Sequence, residues 1–309
     1  MYIMQRQTEQ ERKFLEGGPF NHICTKPLET DIYFRSEEEY REGLNIIAIA
    51  VTVSGIRLLA YSVMSNHFHF VVEGTEERVE IFWDVFIDRL GKFLSRTGRG
   101  YLTASCAPKI VPINNLRQLK VEIVYVIRNQ FAVQANSNIF SCIWNSGHLY
   151  FNSMLPLMKE GVPAAKMTIQ ARRNFKHERN PDLDPRLMVL DGLALPSSFV
   201  DYRRAESFFE NAREFQHWTL KNVESQVEVA KRIGEKVNLD DTELKEIVRG
   251  ICWDRYRQNS VRNLSGEAVA ELARTLKFDY SASNAQIARC VGIRLTEVDQ
   301  MFPLSAKEK

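Results

Sequence analysis

The stretch that decides the fold, residues 57–74, reads RLLAYSVMSNHFHFVVEG. It contains two apolar runs, Leu58–Met64 and His67–Val72, separated by Ser65 and Asn66. Both runs are rich in β-branched and aromatic residues, which predicts two successive strands. Side chains alternate along a strand, so His67 and His69 share one face of the second strand. Two imidazoles on one face can bind a divalent metal, although a bare His-X-His is as often structural.

Length and composition limit the class of protein. A chain of 309 residues with 44% hydrophobic residues predicts two globular domains. The net charge of +2 gives no sign of nucleic-acid binding by the whole molecule, so such binding would need a local basic patch. The five cysteines form no Cys-X-X-Cys pair, which argues against a disulfide framework or a thiolate zinc site. With no signal-like or membrane-length apolar segment, we expect a cytoplasmic protein without a membrane partner.

The order of predicted elements around these strands indicates an α+β fold with an antiparallel sheet. Phe20–Thr25 alternates as a first strand, and a capping box at Ser36 begins a first helix. A second helix runs from about Glu76 to Arg96, and Asn115 caps a third. His22 lies in the first strand, where a structural hydrogen bond is the favoured interpretation, and it is not counted as a metal ligand.

The third helix contains a candidate for phosphoryl transfer. Glu122, Tyr125 and Asn129 follow one another at i, i+3 and i+7, on one face of the helix. A tyrosine phenol, with an ordinary pKa of about 10, can attack phosphorus when it is well placed. Mg²⁺ or Mn²⁺ can polarise the scissile phosphate, and these ions favour oxygen ligands. Glu122, Asn129 or Gln130 would therefore complete a site begun by His67 and His69.

Two segments resemble motifs of a known family. Residues 61–72, YSVMSNHFHFVV, resemble the signature strand pair of REP-associated tyrosine transposases, members of the HUH class of single-strand DNA nucleases. Residues 125–130, YVIRNQ, are similar to the second motif of that family, in which proline usually stands where this chain has Gln130. Trp144-Asn145-Ser146 resembles, more weakly, the segment that closes the domain. The resemblance covers about residues 18–152.

The resemblance implies a specific activity. It identifies Tyr125 as the nucleophile that forms a 5′-phosphotyrosine link and His67, His69 and Asn129 as metal ligands. It implies a ferredoxin-like HUH domain, single-stranded or hairpin DNA as the partner, Mg²⁺ or Mn²⁺ as the cofactor, and allows a homodimer. Because Gln130 departs from the motif, a domesticated relative that binds DNA without cutting it remains the alternative. A hydrolase in which the histidines activate water ranks below both.

The second half of the chain reads differently. Residues 153–196 are charged and proline-containing, which predicts a linker or peripheral segment, and residues 197–309 have the pattern of an all-helical domain. The predicted helices are Phe199–Trp218, Leu220–Ile233, Asp240–Tyr256, Ser265–Lys277, Asn284–Val291 and Thr296–Phe302. The last two, with a turn at Gly292, indicate a helix-turn-helix, although an ordinary helical hairpin has the same pattern. The candidate DNA-binding residues of this domain are Arg249, Arg255, Arg257, Arg289 and Arg294.

Overall fold

A computed structural model describes residues 7–28, 31–129, 142–157, 160–180, 182–221, 223–234, 239 and 241–303. The chain forms two compact units, Met1–Lys221 and Asn222–Lys309. The first unit combines an antiparallel sheet with helices, and helices are the regular elements of the described part of the second. The predicted α+β class is confirmed.

The first unit contains seven helices and seven strands among the described residues. In chain order these are α1 (Glu9–Leu15), β1 (Phe20–Thr25), α2 (Glu37–Ser54), β2 (Arg57–Val63), β3 (Phe68–Glu73), α3 (Glu76–Arg96), β4 (Pro108–Ile113), α4 (Leu116–Arg128), β5 (Val162–Pro163), α5 (Ile169–Lys176), β6 (Met188–Leu190), β7 (Leu193–Ala194), α6 (Tyr202–Glu206) and α7 (Ala212–Lys221). Over the described ranges, no helix of either unit combines the length and the apolar character needed to cross a bilayer.

The main sheet has four antiparallel strands in the order β2-β3-β1-β4. Ile23 of β1 lies opposite Phe70 of β3, and both belong to the main hydrophobic core, in which α2 and α3 pack on this face. Because side chains alternate along each strand, His22 and His69 point to the opposite face. The helix α4 packs against that second face, so the sheet separates an apolar layer from a layer with polar groups.

Local capping explains where two of the predicted helices begin. The Ser36 side chain accepts a hydrogen bond from the backbone N–H of Glu39, and Asn115 accepts one from the N–H of Gln118. The reciprocal half of each predicted capping box differs, because Glu39 accepts from the N–H of Arg35 and not from that of Ser36. Both helix starts are confirmed, and the cap side chains suffice to set them.

The segment predicted to be a linker is part of the first unit. Its strands β5, β6 and β7 form a second antiparallel sheet, and Ala164, Phe175 and Val189 join the main core. The boundary between units lies at 221/222, and so differs from the predicted boundaries at 152 and 196. Apolar runs in this segment are short, such as Leu187–Leu190, and charged residues and prolines separate them, so no period of 2 or 3.6 develops.

The predicted helix Phe199–Trp218 is wrong. Val200 forms a β-bridge with Leu58, and the N–H of Asp201 donates to the Leu58 carbonyl over 2.8 Å. Asp201 then caps the short helix α6, and the Asn211 side chain accepts from the N–H of Glu214 at the start of α7. Two caps inside one apolar pattern therefore divide it into two helices.

The second unit contains α8 (Val223–Ile233), α9 (Asp241–Tyr256), α10 (Gly266–Phe278), α11 (Asn284–Val291) and α12 (Leu295–Met301). The five helices match the predicted ones to within a few residues at each end. Ser283 and Gln286 form a capping box at the start of α11, and Gly292 ends it with φ +79°, a left-handed conformation that favours glycine. Arg294, not Thr296, is the cap of α12. The two helices pack in one core with α9 and α10.

Candidate functional site

Three potential ligands lie together on the sheet face that α4 covers. Cys24 of β1 is directly opposite His69 of β3, and His22 is opposite Val71, two residues further along both strands. Residues that are opposite in an antiparallel pair project to the same face, so His22, Cys24 and His69 form one cluster. All three are buried. Their position follows from the register of β1 against β3.

A hydrogen-bonded chain connects α4 to this cluster. Nδ1 of His22 is 2.7 Å from Oε2 of Glu122, and Nε2 of His22 is 3.1 Å from Nδ1 of His69. All three side chains have no solvent exposure. When Glu122 is ionised and His22 is neutral, Nδ1–H of His22 donates to the carboxylate and Nε2 accepts from Nδ1–H of His69. Nε2 of His69 then carries a lone pair, as a metal ligand or a proton acceptor requires.

Burial keeps the two predicted metal-binding histidines uncharged. It lowers the pKa of His69 well below its ordinary value, with smaller contributions from the charges of His67 and His22. It also lowers the pKa of His67 to about 4. Both imidazoles are therefore neutral at pH 7, which is the form that binds metals.

The cluster of His22, Cys24 and His69 could itself hold a metal ion, because its ligand atoms all lie within 4.8 Å of one another. The 3.1 Å between Nε2 of His22 and Nδ1 of His69 is close to the ~3.3 Å expected for two nitrogens on a tetrahedral zinc ion. From the sequence, His22 is expected to have a structural role and the cysteines are not expected to form a thiolate zinc site. The structure instead groups His22 and Cys24 with His69, and His67 is not part of this group.

His67 lies just before β3 rather than within it. Its Nδ1 is 2.8 Å from Oδ1 of the neighbouring Asn66, and its ring centroid is 5.0 Å from that of His69, with the two rings nearly perpendicular. The predicted pair is therefore adjacent in space. Nε2 of His67 is therefore the ring nitrogen that is not bonded to Asn66.

Tyr125 lies against the same cluster. Its ring centroid is 6.0 Å from that of His22 and 5.8 Å from that of His69, and the residue is only 5% exposed. Asn129 is the C-terminal cap of α4, and its Nδ2 is buried without a hydrogen-bond partner among the described residues. Gln130, the further oxygen donor considered, lies outside the described residues. Oε2 of Glu122 is engaged with Nδ1 of His22.

Of three further tyrosines of this unit, Tyr61 and Tyr150 have structural positions. The hydroxyl of Tyr61 donates to the Ile143 carbonyl over 2.6 Å, and that of Tyr150 donates to the Leu59 carbonyl over 2.5 Å. Burial raises the pKa of both phenols. Tyr101 is exposed in a short 3₁₀ helix, Gly100–Ser105. Of these tyrosines and Tyr125, Tyr125 is the one whose ring lies beside His69.

The segment that resembles the end of the domain extends the edge of the main sheet. The N–H of Val63 donates to the Trp144 carbonyl over 2.8 Å, and Asn145 forms a β-bridge with Ser62. Ser146 accepts a hydrogen bond from the N–H of Tyr61. The segment thus stabilises β2.

The five candidate DNA-binding arginines fall into two groups. Arg289 forms two hydrogen bonds with Asp241, at 2.5 and 3.0 Å, and Arg294 pairs with Glu297 at 3.3 Å. Arg249, Arg255 and Arg257 are exposed at α9 and directly after it. Arg289 and Arg294 are near the predicted helix-turn-helix but are engaged with carboxylates. Of the five candidates, Arg249, Arg255 and Arg257 are the ones without a carboxylate partner among the described residues.

Comparison of the chain with protein-family models, with curated proteins and with solved structures finds no match. The functional assignment therefore depends on the residues of the site and on the motifs that they form.

Proposed function

We propose that this protein is a metal-dependent tyrosine nuclease of the HUH type, which cuts single-stranded DNA through a 5′-phosphotyrosine intermediate. The observation that carries the proposal is the position of Tyr125, whose ring is 5.8 Å from that of His69 on the covered face of the sheet. The element order β1-α2-β2-β3-α3-β4, with sheet order β2-β3-β1-β4, supports it, because the ferredoxin-like arrangement has this βαββαβ order.

The proposed reaction is a transesterification. The phenol oxygen of Tyr125 attacks the scissile phosphorus and the P–O3′ bond breaks, so that a 5′-phosphotyrosine link and a free 3′-hydroxyl are formed. The phenol proton must leave, and the 3′-oxygen must gain a proton. Nε2 of His69 is proposed as a metal ligand and so is not the base; the phenol proton passes to solvent water, and water supplies the proton that the 3′-oxygen gains. The phosphate ester bond is conserved in the intermediate, so rejoining would need no nucleotide cofactor.

The donors present fit a divalent cation. His67 and His69 are neutral at pH 7 and adjacent, and Asn129 has a buried amide at the end of α4. These residues would hold Mn²⁺ more readily than Mg²⁺, since imidazole suits Mn²⁺ better than the harder Mg²⁺. Such an ion supplies Lewis-acid polarisation of the scissile phosphate. Cys24 would favour a softer ion, such as Zn²⁺, at the neighbouring cluster.

The low exposure of Tyr125 favours a second candidate function. The residue is 5% exposed and so offers little accessible surface to a DNA strand. A domesticated DNA-binding protein, derived from such a nuclease, would not need this access. The two candidates differ in whether a covalent protein–DNA adduct forms.

The test uses end-labelled single-stranded DNA hairpins incubated with Mn²⁺ or Mg²⁺ and separated on a denaturing gel. The wild-type protein is expected to form a protein-linked band that Tyr125→Phe and His69→Ala abolish. Tyr101→Phe is the matched control, because this tyrosine is exposed and distant in sequence from the site, and it should retain the adduct. Cleavage that persists in Tyr125→Phe would refute the tyrosine mechanism. Binding without an adduct under any metal would support the domesticated protein.

A further inference from the structure

The helix α9 carries an exposed tryptophan, Trp253, beside an open depression in the protein surface. Trp253 is 54% exposed, an unusual state for the largest apolar side chain. Glu246, Arg249, Gly250 and Trp253 are spaced at i, i+3, i+4 and i+7, so they lie on one face of the helix. Together with Asn259 they line an open depression of about 520 Å³ within the second unit.

Gly250 is the second unusual feature of this face. It lies in the interior of α9, where glycine costs roughly 0.5–1 kcal/mol relative to alanine. A Cβ at this position would meet no atom within 4 Å, so the packing of the chain does not require glycine here. The helix therefore keeps a destabilising residue at the floor of an open depression, which suits the close approach of a flat ligand to the backbone.

The lining of the depression carries one charge of each sign, because Arg249 and Glu246 both line it. Arg249 lines the depression, and Arg257 follows at the end of α9. Neither arginine has an acidic partner among the described residues, in contrast to Arg289 and Arg294. Glu246 places one carboxylate at the same depression, where it would repel a phosphate but could accept a hydrogen bond from a base amino group.

We propose that this face binds single-stranded DNA, with an unpaired base stacked on the Trp253 indole above Gly250 and the adjoining phosphate held by Arg249. An aromatic platform beside arginines is the arrangement by which proteins bind unpaired strands without strict sequence preference. The choice of DNA as the ligand rests on the proposed nuclease function. The site itself is independent of Tyr125 and lies wholly in the second unit.

The first test measures binding without cleavage. The full chain carrying Tyr125→Phe is titrated against a fluorescein-labelled oligothymidylate, and against an abasic phosphodiester strand of equal length, by fluorescence anisotropy in EDTA. Trp253→Ala is expected to weaken oligothymidylate binding by about 5- to 140-fold, the equivalent of one lost stacking contact, while Trp253→Phe retains most of the affinity. Binding of the abasic strand should change less than twofold. Phe278→Ala removes another exposed aromatic side chain of this unit and should leave both affinities unchanged.

The second test separates binding from folding. Gly250→Leu adds a side chain into open space and a better helix former, so the melting temperature should stay the same or rise. The leucine side chain occupies the space above residue 250 where the base would lie, so oligothymidylate affinity should fall at least fivefold. Wild-type affinity in Gly250→Leu, or an equal loss on the oligothymidylate and abasic strands in Trp253→Ala, would overturn the proposal. Because neither test uses cleavage, an inactive Tyr125 would not alter their outcome.

Discussion

Replacement of Glu122 tests whether the buried chain from α4 to His69 organises the site. Oε2 of this carboxylate is 2.7 Å from Nδ1 of His22, and both side chains are inaccessible to solvent. Glu122→Gln keeps the shape and an oxygen acceptor, so it loses only the charge assistance of the bond, about 1 kcal/mol of unfolding free energy. Glu122→Leu leaves the N–H of His22 buried without an acceptor, and we expect a loss of about 3 kcal/mol.

These losses would be measured by urea unfolding, with hydrogen exchange of the β1 and β3 amides to restrict the result to the first unit. A double-mutant cycle that combines Glu122→Leu with His22→Leu measures the interaction energy between these two side chains. The double variant His22→Leu/Glu122→Leu should be more stable, by at least 1 kcal/mol, than the sum of the single losses implies, because no buried polar group is then left without its partner. Additivity within about 0.5 kcal/mol, or equal losses for Glu122→Gln and Glu122→Leu, would refute the reasoning.

The same variants have a functional readout. In the tautomer that Glu122 and His22 favour, Nε2 of His69 carries the lone pair that would bind a cation at the proposed site. Loss of an outer hydrogen-bond partner of a metal-binding histidine typically weakens the metal about 10- to 100-fold. We therefore expect Mn²⁺ affinity, measured by electron paramagnetic resonance, to fall by this amount in Glu122→Leu and by less in Glu122→Gln. Unchanged affinity in both would separate this chain from the metal site.

Three further predictions concern the same unit. His67→Gln should weaken Mn²⁺ binding at least tenfold in isothermal titration, while Cys24→Ser should leave it unchanged. The reverse result would place the ion at the cluster of His22, Cys24 and His69. Burial lowers the folded-state pKa of His67 to about 4, so the unfolded chain takes up the proton first as the pH falls. The free energy of unfolding should therefore decrease between about pH 6.5 and about pH 4, and His67→Gln should flatten this decrease in chemical denaturation. An unaltered slope in the variant would contradict the lowered pKa. The guanidinium of Arg99 is 3% exposed and donates to the Tyr33 carbonyl at 2.8 Å and to Glu39 at 2.7 Å. Arg99→Met should therefore lower the free energy of unfolding by about 2–4 kcal/mol, as measured by thermal unfolding. A loss below about 0.5 kcal/mol would show that these hydrogen bonds contribute little to stability.

The elements that the sequence predicts well are those with local causes. The strands β2 and β3 follow from the two apolar runs on either side of Ser65-Asn66, and the starts of α2, α4 and α11 follow from caps at Ser36, Asn115 and Ser283. Each of these signals depends on residues within a few positions of one another. The face shared by Glu122 and Tyr125 also follows from the helical period alone.

Local sequence signals do not predict the secondary structure around residues 160–210. Its short strands and two short helices are stabilised by contacts with distant residues, such as the pairing of Val200 with Leu58 and the hydrogen bond from Asn45 to the Gly192 carbonyl. Strands of two or three residues have too few side chains to show a period. Only the folded chain identifies them as part of the first unit.

The site divides in the same way. The sequence by itself determined the two histidines near the start of β3, the helix that carries Tyr125, and the helices of the second half, because these follow from short-range periodicity and capping. Only the tertiary structure decided that His22 bonds to His69, 47 residues away, and that Glu122, 100 residues from His22, completes the chain. Those partners are set by the register of β1 against β3 and by the packing of α4 on one face of the sheet. Neither leaves a trace in the local sequence, since any residue type in the correct register would satisfy the backbone.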